Sequence, residues 1–511
     1  MLCLASVLMP SRTALPRICI ALGFAEPQKL LSHAKREVEA GETFLEFRLD
    51  YLEMPRKGIA VIKDFLEAHP EVKLLATCRR HQNHGRFNGS IDEQLAILDG
   101  AVEAGAIAID IEIETAESAQ VKAGALRSKA TVIISYHNYD GTPAVEPVLR
   151  RMMKIPADGY KLVTTARKPS DNTRVLELAK TAKAPLILLA MSEIGFPTRV
   201  LTPSLGCLFT YASPLAAEGT AAGQINARTL RNLYRFDKFT KAAKVFGVVA
   251  DPVRQSISPQ VHNRAFQARR LDAIYLPFLV SPTQLKDFFQ FAEAMPVAGF
   301  SVTIPHKQKI IRYLDVVDPL ARRIGAVNTV WRKSGKWRGT NTDAAAVVKP
   351  LAKHLRLAKS SVLVAGNGGA ARSAAFTLIE AGAKVTIVGR NPDRARALAK
   401  ACGGESMARE QISKATKFDA VVHSTPLGMF PKMDECFFDD IIPADVVFDM
   451  VYNPLETVLI ERARSQNKVV VPGLEMFMEQ AVAQFEIFTG ETAPRAAMEK
   501  AALEALAAKR G

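Results

Sequence analysis

SVLVAGNGGAARSAAFTLIEAG occupies residues 361–382 and decides the fold of the second half of the chain. A short apolar run leads into Gly366, Gly368 and the small Ala371, spaced much like G-x-G-x-x-G, and an alanine-rich stretch of helix length follows. Glycines in such a turn let the backbone approach a pyrophosphate at the N-terminus of a helix. A second strand-like run, KVTIV at 384–388, comes next. This arrangement predicts a doubly wound α/β domain that binds a dinucleotide.

The residues after that next strand indicate which dinucleotide binds. An NAD site normally has an Asp or Glu there to receive the ribose hydroxyl, but this chain has Gly389, Arg390 and then Arg394. Two arginines favour the extra phosphate of NADP, and the alternative is that they are solvated surface charges. We therefore predict NADP as the cofactor, held by Gly366, Gly368, Gly369, Ala370, Arg390 and Arg394.

The alternation of apolar runs with helix-length stretches extends from this motif in both directions. It predicts three strands at 245–251, 273–278 and 297–304, and a second series at 361–365, 385–388, 420–423, 446–450 and 469–471. An alanine-rich helical tail from Gly473 to Lys509 is expected to fold back on the first series. We predict a substrate domain formed by residues 245–343 and 473–511, with a Rossmann NADP-binding domain at 344–472 between its two parts.

The first half of the chain has eight apolar runs separated by helical stretches. Such runs, rich in Ile, Leu and Val, are typical of parallel strands buried on both faces. Eight of them predict a (β/α)8 barrel over residues 16–231, after an extension at 1–15 and before a linker at 232–244. The runs are Arg17–Leu22, Phe44–Asp50, Lys73–Arg79, Ala106–Ile113, Thr131–His137, Tyr160–Thr165, Pro185–Ser192 and Cys207–Ala212.

Composition narrows the possible partners. The 511 residues carry a formal net charge of +15, but the basic residues are spread along the chain without a nucleic-acid-binding motif. Small anionic substrates and a phosphorylated cofactor suit a basic protein equally well. The six cysteines include no CxxC pair, which indicates free thiols in a reducing compartment and no metal site. With a short, Pro-interrupted N-terminal apolar stretch, we expect a cytoplasmic protein without nucleic-acid or membrane partners, and its oligomeric state stays open.

Polar residues cluster at the ends of the predicted barrel strands, where a barrel collects its chemistry. A lysine on a strand, Lys161, has apolar neighbours that favour its neutral, nucleophilic form, which can make an imine with a ketone. His137, on an adjacent strand end, can then shuttle the proton next to that imine. Arg79 and Arg199 suit a planar carboxylate. The alternative is a lysine that reaches the surface and a hydrogen-bonded core histidine.

The second half contains a similar pair. Lys307 and Asp343 lie in short polar turns next to predicted strands. Brought together, they can hold a hydroxyl and pass a proton to a carbonyl as hydride arrives; apart, each is an ordinary surface ion.

The barrel half resembles type I 3-dehydroquinate dehydratase in EFRLD, TCR, SYHNYDGTP, GYKL, the stretch MSEIGFPTR and TAAGQ. The resemblance implies a Schiff base on Lys161 and general acid/base catalysis by His137. It also departs from the family, which usually has a glutamate and a glycine where this chain has Asn83 and His84. The residues expected to contact substrate are Glu46, Arg48, Arg79, Arg199, Thr220 and Gln224.

The second half is similar to shikimate dehydrogenase in SISP, GFSVTIPHK, GAVNTV, GTNTD, STPLGM, FDMVYNP and GLEMFMEQA. The resemblance implies that Lys307 is the acid/base beside Asp343, and that Thr425, Met429 and Tyr452 lie near the nicotinamide. Mild departures are Ser301 in place of asparagine and Gly389 and Asn391 after the second dinucleotide strand. Ser256 and Ser258 are expected to bind the substrate carboxylate, and Thr303, Asn328, Asp343 and Gln480 its ring.

Together the two resemblances imply a bifunctional enzyme of the shikimate pathway. The barrel would dehydrate 3-dehydroquinate, and the second half would reduce the 3-dehydroshikimate product to shikimate with NADPH. One alternative is a second half that prefers quinate or NAD, against which Arg390 and Arg394 argue. The other is an impaired barrel that acts as a binding or regulatory domain.

Overall fold

The chain divides into two compact units between Ala242 and Ala243. The computed structural model describes residues 15–216, 219–413 and 415–508. The predicted N-terminal extension, which contains Cys3, lies outside the described residues except for residue 15, and so does Lys509 at the end of the predicted tail. Among the described residues, no helix has the length and apolar character needed to cross a membrane.

The first unit is the predicted (β/α)8 barrel. Eight parallel strands follow one another in the order β8-β1-β2-β3-β4-β5-β6-β7. The backbone N–H of Leu208, just before β8, donates to the carbonyl of Leu186 in β7 at 2.8 Å and so nearly closes the ring. The strands are β1 (Ile18–Leu22), β2 (Phe44–Arg48), β3 (Lys73–Thr77), β4 (Ala108–Glu112), β5 (Thr131–His137), β6 (Gly159–Thr165), β7 (Leu186–Met191) and β8 (Thr210–Ala212).

Helices surround this barrel, and a capping motif in the sequence marks the start of one of them. Ser90, for example, accepts from the N–H of Glu93, whose carboxylate accepts from the N–H of Ser90, a capping box that fixes the start of α3. The helices are α1 (Pro27–Glu39), α2 (Gly58–Ala68), α3 (Ile91–Glu103), α4 (Ile113–Ser118), α5 (Gln120–Lys129), α6 (Val145–Met152), α7 (Asp171–Thr181), α8 (Phe196–Leu201) and α9 (Ala227–Asn232).

The interior of the barrel has an apolar floor below its polar end. Phe44, Ala108, Ile133, Ile187 and Phe209 belong to one buried cluster that fills the interior. Because side chains alternate along a strand, residues two and four positions further on point into the same interior, nearer the carboxyl ends. This alternation places Glu46, Asp110 and Lys161 above the floor.

The second unit begins with a mixed sheet in the order β10-β9-β11-β13-β14-β12. The three predicted strands are present, but the β13–β14 hairpin and the two-residue β12 were not predicted. Ser334 and Gly335 form the hairpin turn with φ of 53° and 74°, the left-handed conformation that such tight turns need. The strands are β9 (Lys244–Ala250), β10 (Ala273–Leu279), β11 (Val297–Val302), β12 (Val316–Val317), β13 (Thr329–Lys333) and β14 (Lys336–Thr340).

The remaining strands form an all-parallel sheet in the order β17-β16-β15-β18-β19-β20. This is the Rossmann order 3-2-1-4-5-6, whose direction of winding reverses between β15 and β18. Ligands of such sheets bind in the crevice at that reversal, outside the carboxyl ends of the strands. The strands are β15 (Ser361–Ala365), β16 (Lys384–Val388), β17 (Glu405–Ser406), β18 (Phe418–His423), β19 (Ala444–Asp449) and β20 (Val469–Val471).

The last two helices of the second unit return to its first sheet. Phe488 stacks on Phe246 of β9 with ring centroids 5.1 Å apart, and Phe485 lies 5.8 Å from Phe266 of α10. The helices are α10 (Ser258–Ala268), α11 (Leu285–Ala294), α12 (Pro319–Ile324), α13 (Asp343–Leu351), α14 (Gly369–Glu380), α15 (Pro392–Cys402), α16 (Val458–Ser465), α17 (Gly473–Thr489) and α18 (Arg495–Ala507).

Candidate active sites

Lys161 lies inside the barrel among polar groups. Its Nζ is 2.9 Å from Oδ2 of Asp110, 2.9 Å from the hydroxyl of Tyr211 and 3.8 Å from Oε1 of Glu46. The expectation of apolar surroundings was therefore wrong, because Tyr160 and Leu162 alternate with Lys161 and point the opposite way. Asp110 offsets the cost of burying the amine, and only 4% of Lys161 is exposed.

Asp110 is the centre of this cluster, and the sequence analysis missed it. Its Oδ1 accepts from Ser135 at 2.6 Å and from Arg79 at 3.1 Å. Burial alone would raise the pKa of Asp110, but the charges of Lys161 and Arg79 hold it well below its usual range. The available signal was the spacing in IDIE, since Asp110 and Glu112 must face the same side of β4.

His137 ends β5 beside the same arginine. Its Nε2 lies 3.1 Å from NH1 of Arg79, and its ring is near parallel to that of Tyr139 at 6.2 Å. Burial, followed by the charges of Arg79 and Lys161, lowers the pKa of His137 well below its ordinary value of 6.5. The neutral imidazole that results at neutral pH can accept a proton.

Arg48 and Glu46, both predicted to contact substrate, make hydrogen bonds to other side chains next to the Asp110 cluster. Arg48 makes a bidentate pair with Asp50, through bonds of 2.9 and 2.8 Å, and Glu46 accepts from Thr77 at 2.7 Å. Glu112, a further polar residue at a strand end, accepts from the backbone of Arg80 at 2.7 Å.

Among the described residues, which omit 217–218, Arg199 is a buried cation without an acidic partner. It is 1% exposed, NH2 donates to the carbonyl of Ala222 at 3.0 Å, and Nε and NH1 have no partner in this part of the chain. Burial lowers the pKa of Arg199 to about 10. The carbonyl of Ala222 ties Arg199 to the loop after β8 that carries Thr220 and Gln224, and these two side chains are half-buried. The Nε and NH1 nitrogens of this guanidinium suit the carboxylate of a substrate.

Asn83 and His84, the departures from the dehydratase pattern, lie in the loop after β3. Asn83 donates to Oε2 of Glu114 at 2.8 Å. His84 has a left-handed φ of 59°, and its ring lies 4.1 Å from Tyr139. Through Tyr139, His84 therefore belongs to the same aromatic group as His137.

In the second unit, Lys307 lies beside Asp343, as the resemblance to shikimate dehydrogenase implies. Lys307 Nζ lies 2.6 Å from Oδ2 of Asp343, and Asn328 donates to Oδ1 of the same carboxylate at 2.7 Å. Asp343 is the first residue of α13 and is 3% exposed, whereas Lys307 is half-buried. A fixed carboxylate thus holds an amine that still has access to the crevice.

Hydrogen bonds link this pair to α17 through a second glutamine. Gln484, which is 1% exposed, accepts from Ser301 at 2.7 Å and donates to Thr329 at 3.1 Å. Thr329 in turn donates to Oδ1 of Asn328 at 2.8 Å. The predicted Gln480 is half-buried and donates to the carbonyl of Phe477 at 3.0 Å, one turn earlier on α17.

The predicted carboxylate and ring residues lie at the carboxyl ends of the same sheet. Ser256 and Ser258 flank the start of α10, where the N–H of Ser258 donates to Oγ of Ser256 at 3.2 Å. Thr303 follows β11, with its N–H bonded to the carbonyl of Val249 in β9 at 3.1 Å.

The glycine turn after β15 lies close to Lys307. A Cβ on Gly369 would be 3.2 Å from the Lys307 side chain, and one on Gly366, at φ 130°, would collide with Oγ of Ser424. Gly368 is the residue before the first turn of α14, and Ala370 lies in that turn. A Cβ on Gly368 would meet nothing within 4 Å, so the backbone at this position is open to a ligand at the helix N-terminus.

The other predicted cofactor residues surround this turn. Arg390 and Arg394 follow β16 with exposed side chains. Thr425 and Met429 lie in the loop after β18, both half-buried, and Tyr452 packs on Phe477 with ring centroids 4.6 Å apart.

Comparison with known proteins joins the two sites in one family. The family model for type I 3-dehydroquinase matches residues 18–241. Models for the shikimate dehydrogenase substrate-binding domain, shikimate/quinate 5-dehydrogenase and the shikimate 5′-dehydrogenase C-terminal domain match residues 248–330, 349–427 and 473–503. The chain is 34% identical to the chloroplastic bifunctional 3-dehydroquinate dehydratase/shikimate dehydrogenase of Arabidopsis thaliana, over 94% of this chain and 83% of the relative.

The chain belongs to the bifunctional 3-dehydroquinate dehydratase/shikimate dehydrogenase family. A shikimate biosynthesis protein of Chlamydia pneumoniae is 29% identical over 74% of this chain and 78% of its own length. The NADP(+) shikimate dehydrogenase of Methanothermobacter thermautotrophicus is 38% identical over 51% of this chain and 96% of its own length. A crystal structure of a shikimate dehydrogenase with NADP+ matches with a TM-score of 0.50 at 34% identity, over 52% of this chain and 97% of that one.

Proposed function

We propose that this member of the bifunctional family dehydrates 3-dehydroquinate in its barrel and reduces 3-dehydroshikimate to shikimate in its second unit. The observation that carries the proposal is the position of Lys161, a buried amine held by Asp110 and Tyr211 at the carboxyl end of the barrel. Any buried amine needs such a partner, but this one lies at the carboxyl end of the strands, where barrel enzymes place their catalytic groups.

In the barrel, Lys161 attacks the ketone of 3-dehydroquinate, and water leaves to give a protonated imine. Asp110 stabilises this cation as it stabilises the lysine ammonium, because its carboxylate is fixed by Arg79 and Ser135. The imine accepts the electrons of the adjacent C–H bond while His137 removes the proton. Loss of the hydroxyl as water and hydrolysis of the imine then release 3-dehydroshikimate and restore Lys161.

Substrate orientation in the barrel is assigned to Arg199. Two of its donors lack a partner in the described part of the chain, and its guanidinium suits bidentate binding of the substrate carboxylate. Arg48, Glu46, Thr220 and Gln224 are proposed to contact its hydroxyls.

In the second unit, Lys307 delivers a proton to the ketone oxygen of 3-dehydroshikimate. Asp343 keeps the amine in place and is itself held by Asn328. Ser256 and Ser258 are assigned to the substrate carboxylate, and Thr303 and Gln480 to its ring. NADPH supplies the hydride when bound.

The residues around the glycine turn fit NADP. The turn leaves space at Gly368, where a Cβ would meet nothing within 4 Å, and α14 begins at Gly369 beside Lys307. Gly389 follows β16 where an NAD site has an acidic residue, and the exposed side chains of Arg390 and Arg394 after it suit a 2′-phosphate. Asp393, between the two arginines, pairs with Arg396. Preference for NADP over NAD, and for shikimate over quinate, is part of the proposal.

A barrel that only binds or regulates is not favoured. Lys161, Asp110, Arg79 and His137 form one connected polar cluster. Because a purely structural barrel would gain stability by losing such buried charges, their presence supports catalysis.

Borohydride trapping tests the proposal directly. Wild-type protein is mixed with 3-dehydroquinate and sodium borohydride, and peptides are examined by mass spectrometry for a reduced adduct on Lys161. Lys161→Ala should show no adduct and no dehydratase turnover, yet it should still reduce 3-dehydroshikimate with NADPH. Lys307→Ala should show the opposite pattern, with trapping intact and reduction lost.

Wild-type protein without an adduct or dehydratase turnover would contradict the barrel assignment, and unchanged reduction in Lys307→Ala would contradict the role of that lysine. A cytoplasmic location and the lack of nucleic-acid and membrane partners stay predictions; the Arabidopsis relative is named as chloroplastic.

A further inference from the structure

A buried chain of hydrogen bonds links the ends of β18 and β19. His423 is the last residue of β18, Asp449 is the last residue of β19, and the two are 1% and 0% exposed. His423 Nδ1 lies 2.8 Å from Oδ1 of Asp449, and Nε2 lies 2.5 Å from Oγ1 of Thr425. No step of the proposed reactions uses His423 or Asp449.

The other partners of Asp449 fix the direction of this chain. Its carboxylate also accepts from the hydroxyl of Thr457 at 2.6 Å and from the N–H of Val451 at 3.0 Å. An ionised carboxylate only accepts, so Nδ1 of His423 carries the proton that it donates to Asp449. In the neutral ring Nε2 is then an acceptor, and the hydroxyl of Thr425 must donate to it.

Thr425 is consequently left with an oxygen that can only accept from other partners. The N–H of Leu427 donates to this oxygen at 3.3 Å, a long bond that leaves one lone pair available. A hydroxyl normally rotates between donating and accepting, and the His423–Asp449 pair removes that freedom.

The position of Thr425 indicates which part of the cofactor it meets. Ser424 borders the glycine turn at Gly366, so Thr425 lies in the crevice on the β18 side of β15. Arg390 and Arg394 lie on the β16 side, where the adenosine ribose of a dinucleotide binds. The nicotinamide half therefore extends toward β18, and its carboxamide NH2 is a donor that needs an acceptor.

We propose that His423, held by Asp449, is a positioning residue that makes Thr425 a hydrogen-bond acceptor for the nicotinamide carboxamide. This inference rests on the proposed function in that it assumes NADPH as cofactor. It predicts that His423 affects binding of the nicotinamide half alone.

Two substitutions separate the bonds of the histidine. His423→Asn places an amide near the Nδ1 position and keeps a partner for Asp449, but it loses the bond to Thr425. His423→Gln places an amide near the Nε2 position, where its oxygen can still accept from Thr425. Fluorescence titration with NADPH measures the dissociation constant of each variant, and adenosine 2′,5′-bisphosphate serves as a probe without nicotinamide.

Thr425→Val is expected to weaken NADPH binding about fivefold to tenfold, the loss that one hydrogen bond causes. His423→Asn should weaken it by a smaller factor, because the Thr425 hydroxyl remains but is no longer held as an acceptor. The double variant should be no weaker than Thr425→Val, because His423 acts only through Thr425. His423→Gln should bind NADPH more tightly than His423→Asn. The bisphosphate should bind all of them as it binds wild-type protein. Thr457→Val is the control and should keep wild-type affinity for both probes. It removes the bond to the other oxygen of Asp449 and the cap that Thr457 forms with the N–H of Ile460 at the start of α16, but it leaves His423 and Thr425 in place.

Equal weakening for NADPH and the bisphosphate would indicate a general distortion of the crevice and overturn the inference. Wild-type affinity in both His423→Asn and Thr425→Val, or independent losses that multiply in the double variant, would overturn it as well. Wild-type protein that does not bind NADPH would contradict the proposed function itself, whereas wild-type binding with unaffected variants contradicts this inference alone.

Discussion

The carboxylate of Asp110 is paired with two cations inside the barrel, Lys161 and Arg79. Glu46 lies near Lys161. Burying such a group costs free energy that a hydrophobic core would not lose. The barrel can carry this cost because its apolar floor, from Phe44 to Phe209, lies directly below. The cost of this charged layer is what we expect of a catalytic site on a scaffold that is stabilised elsewhere.

At the level of single residues, the lowered pKa of His137 sets a pH dependence. Burial and the neighbouring cations disfavour the imidazolium, so His137 stays neutral below its ordinary pKa of 6.5. The acidic limb of kcat/KM for dehydration, which reports the free enzyme, should thus lie below pH 6.5. A pH–rate profile checks this; a limb at pH 6.5 or above would contradict it, and His69→Gln, far from the site, should leave the profile unchanged.

Arg199 predicts a trade between stability and binding. Arg199→Met removes a buried charge, two of whose donors have no partner among the residues that the structure describes, and should raise the free energy of unfolding of the ligand-free protein by about 1–3 kcal/mol. The KM for 3-dehydroquinate should rise at least about tenfold, since a charge-assisted bond to the carboxylate is lost. Urea unfolding and dehydratase kinetics measure the two effects.

Arg48→Met is the matched control for that prediction. Arg48 is similarly buried but paired with Asp50, so its loss leaves that buried carboxylate without its cation, although the N–H of Arg86 still donates to it at 3.2 Å. The loss should destabilise the protein by about 3–5 kcal/mol. Destabilisation of similar size in both variants would contradict the view that Arg199 is uncompensated.

The sequence predicted the site residues whose type is unusual for a buried strand or its end. It did not predict the residues that form hydrogen bonds or ion pairs with them. Lys161 and His137 attract notice on apolar strands, and Lys307 does so after one. Asp110 and Gln484 were missed because an acidic residue on a strand, or a glutamine on a helix, is ordinary until its neighbours are known. Their importance comes from contacts at 51 and 183 residues of separation, which no local pattern contains.

At the level of elements, the glycine turn before α14 has one position that requires glycine. Gly366 has a φ of 130° and contacts Ser424, so Gly366→Ala should destabilise the protein by about 1–3 kcal/mol and abolish NADPH binding. Gly368→Ala is the control for stability alone, because its Cβ would meet no protein atom within 4 Å and its φ is −84°. Thermal unfolding distinguishes the two variants, and NADPH titration measures the loss of binding in Gly366→Ala; equal destabilisation in both variants would contradict the assignment.

The elements that sequence predicted are those with strong hydrophobic patterns. All eight barrel strands follow buried runs, and the predicted bounds differ by a few residues at their ends. The β13–β14 hairpin was missed because TVWRKSGKWRGT has only three large apolar residues among its charges. Its signal was the Ser334–Gly335 turn, which carries the conformation that tight hairpins demand.

At the scale of the whole molecule, each unit has its own core and its own site. Residues 1–242 and 243–511, produced separately, are expected to fold independently, because a domain with its own core can do so. The first fragment should keep dehydratase activity and the second should keep NADPH-dependent reduction. Circular dichroism melts and the two assays check this; a fragment that fails to unfold cooperatively or loses its own reaction would contradict it.

One chain of hydrogen bonds in the second unit has an evolutionary consequence. It runs from Tyr275 through Ser301, Gln484, Thr329 and Asn328 to Asp343. Every member is buried, and each donor is matched to a neighbouring acceptor. Replacing one member alone would leave a buried polar atom without a hydrogen-bond partner, whereas a compensating pair of replacements would not. Drift at these positions should therefore be concerted, so that related chains exchange Ser301 and Gln484 together rather than one at a time.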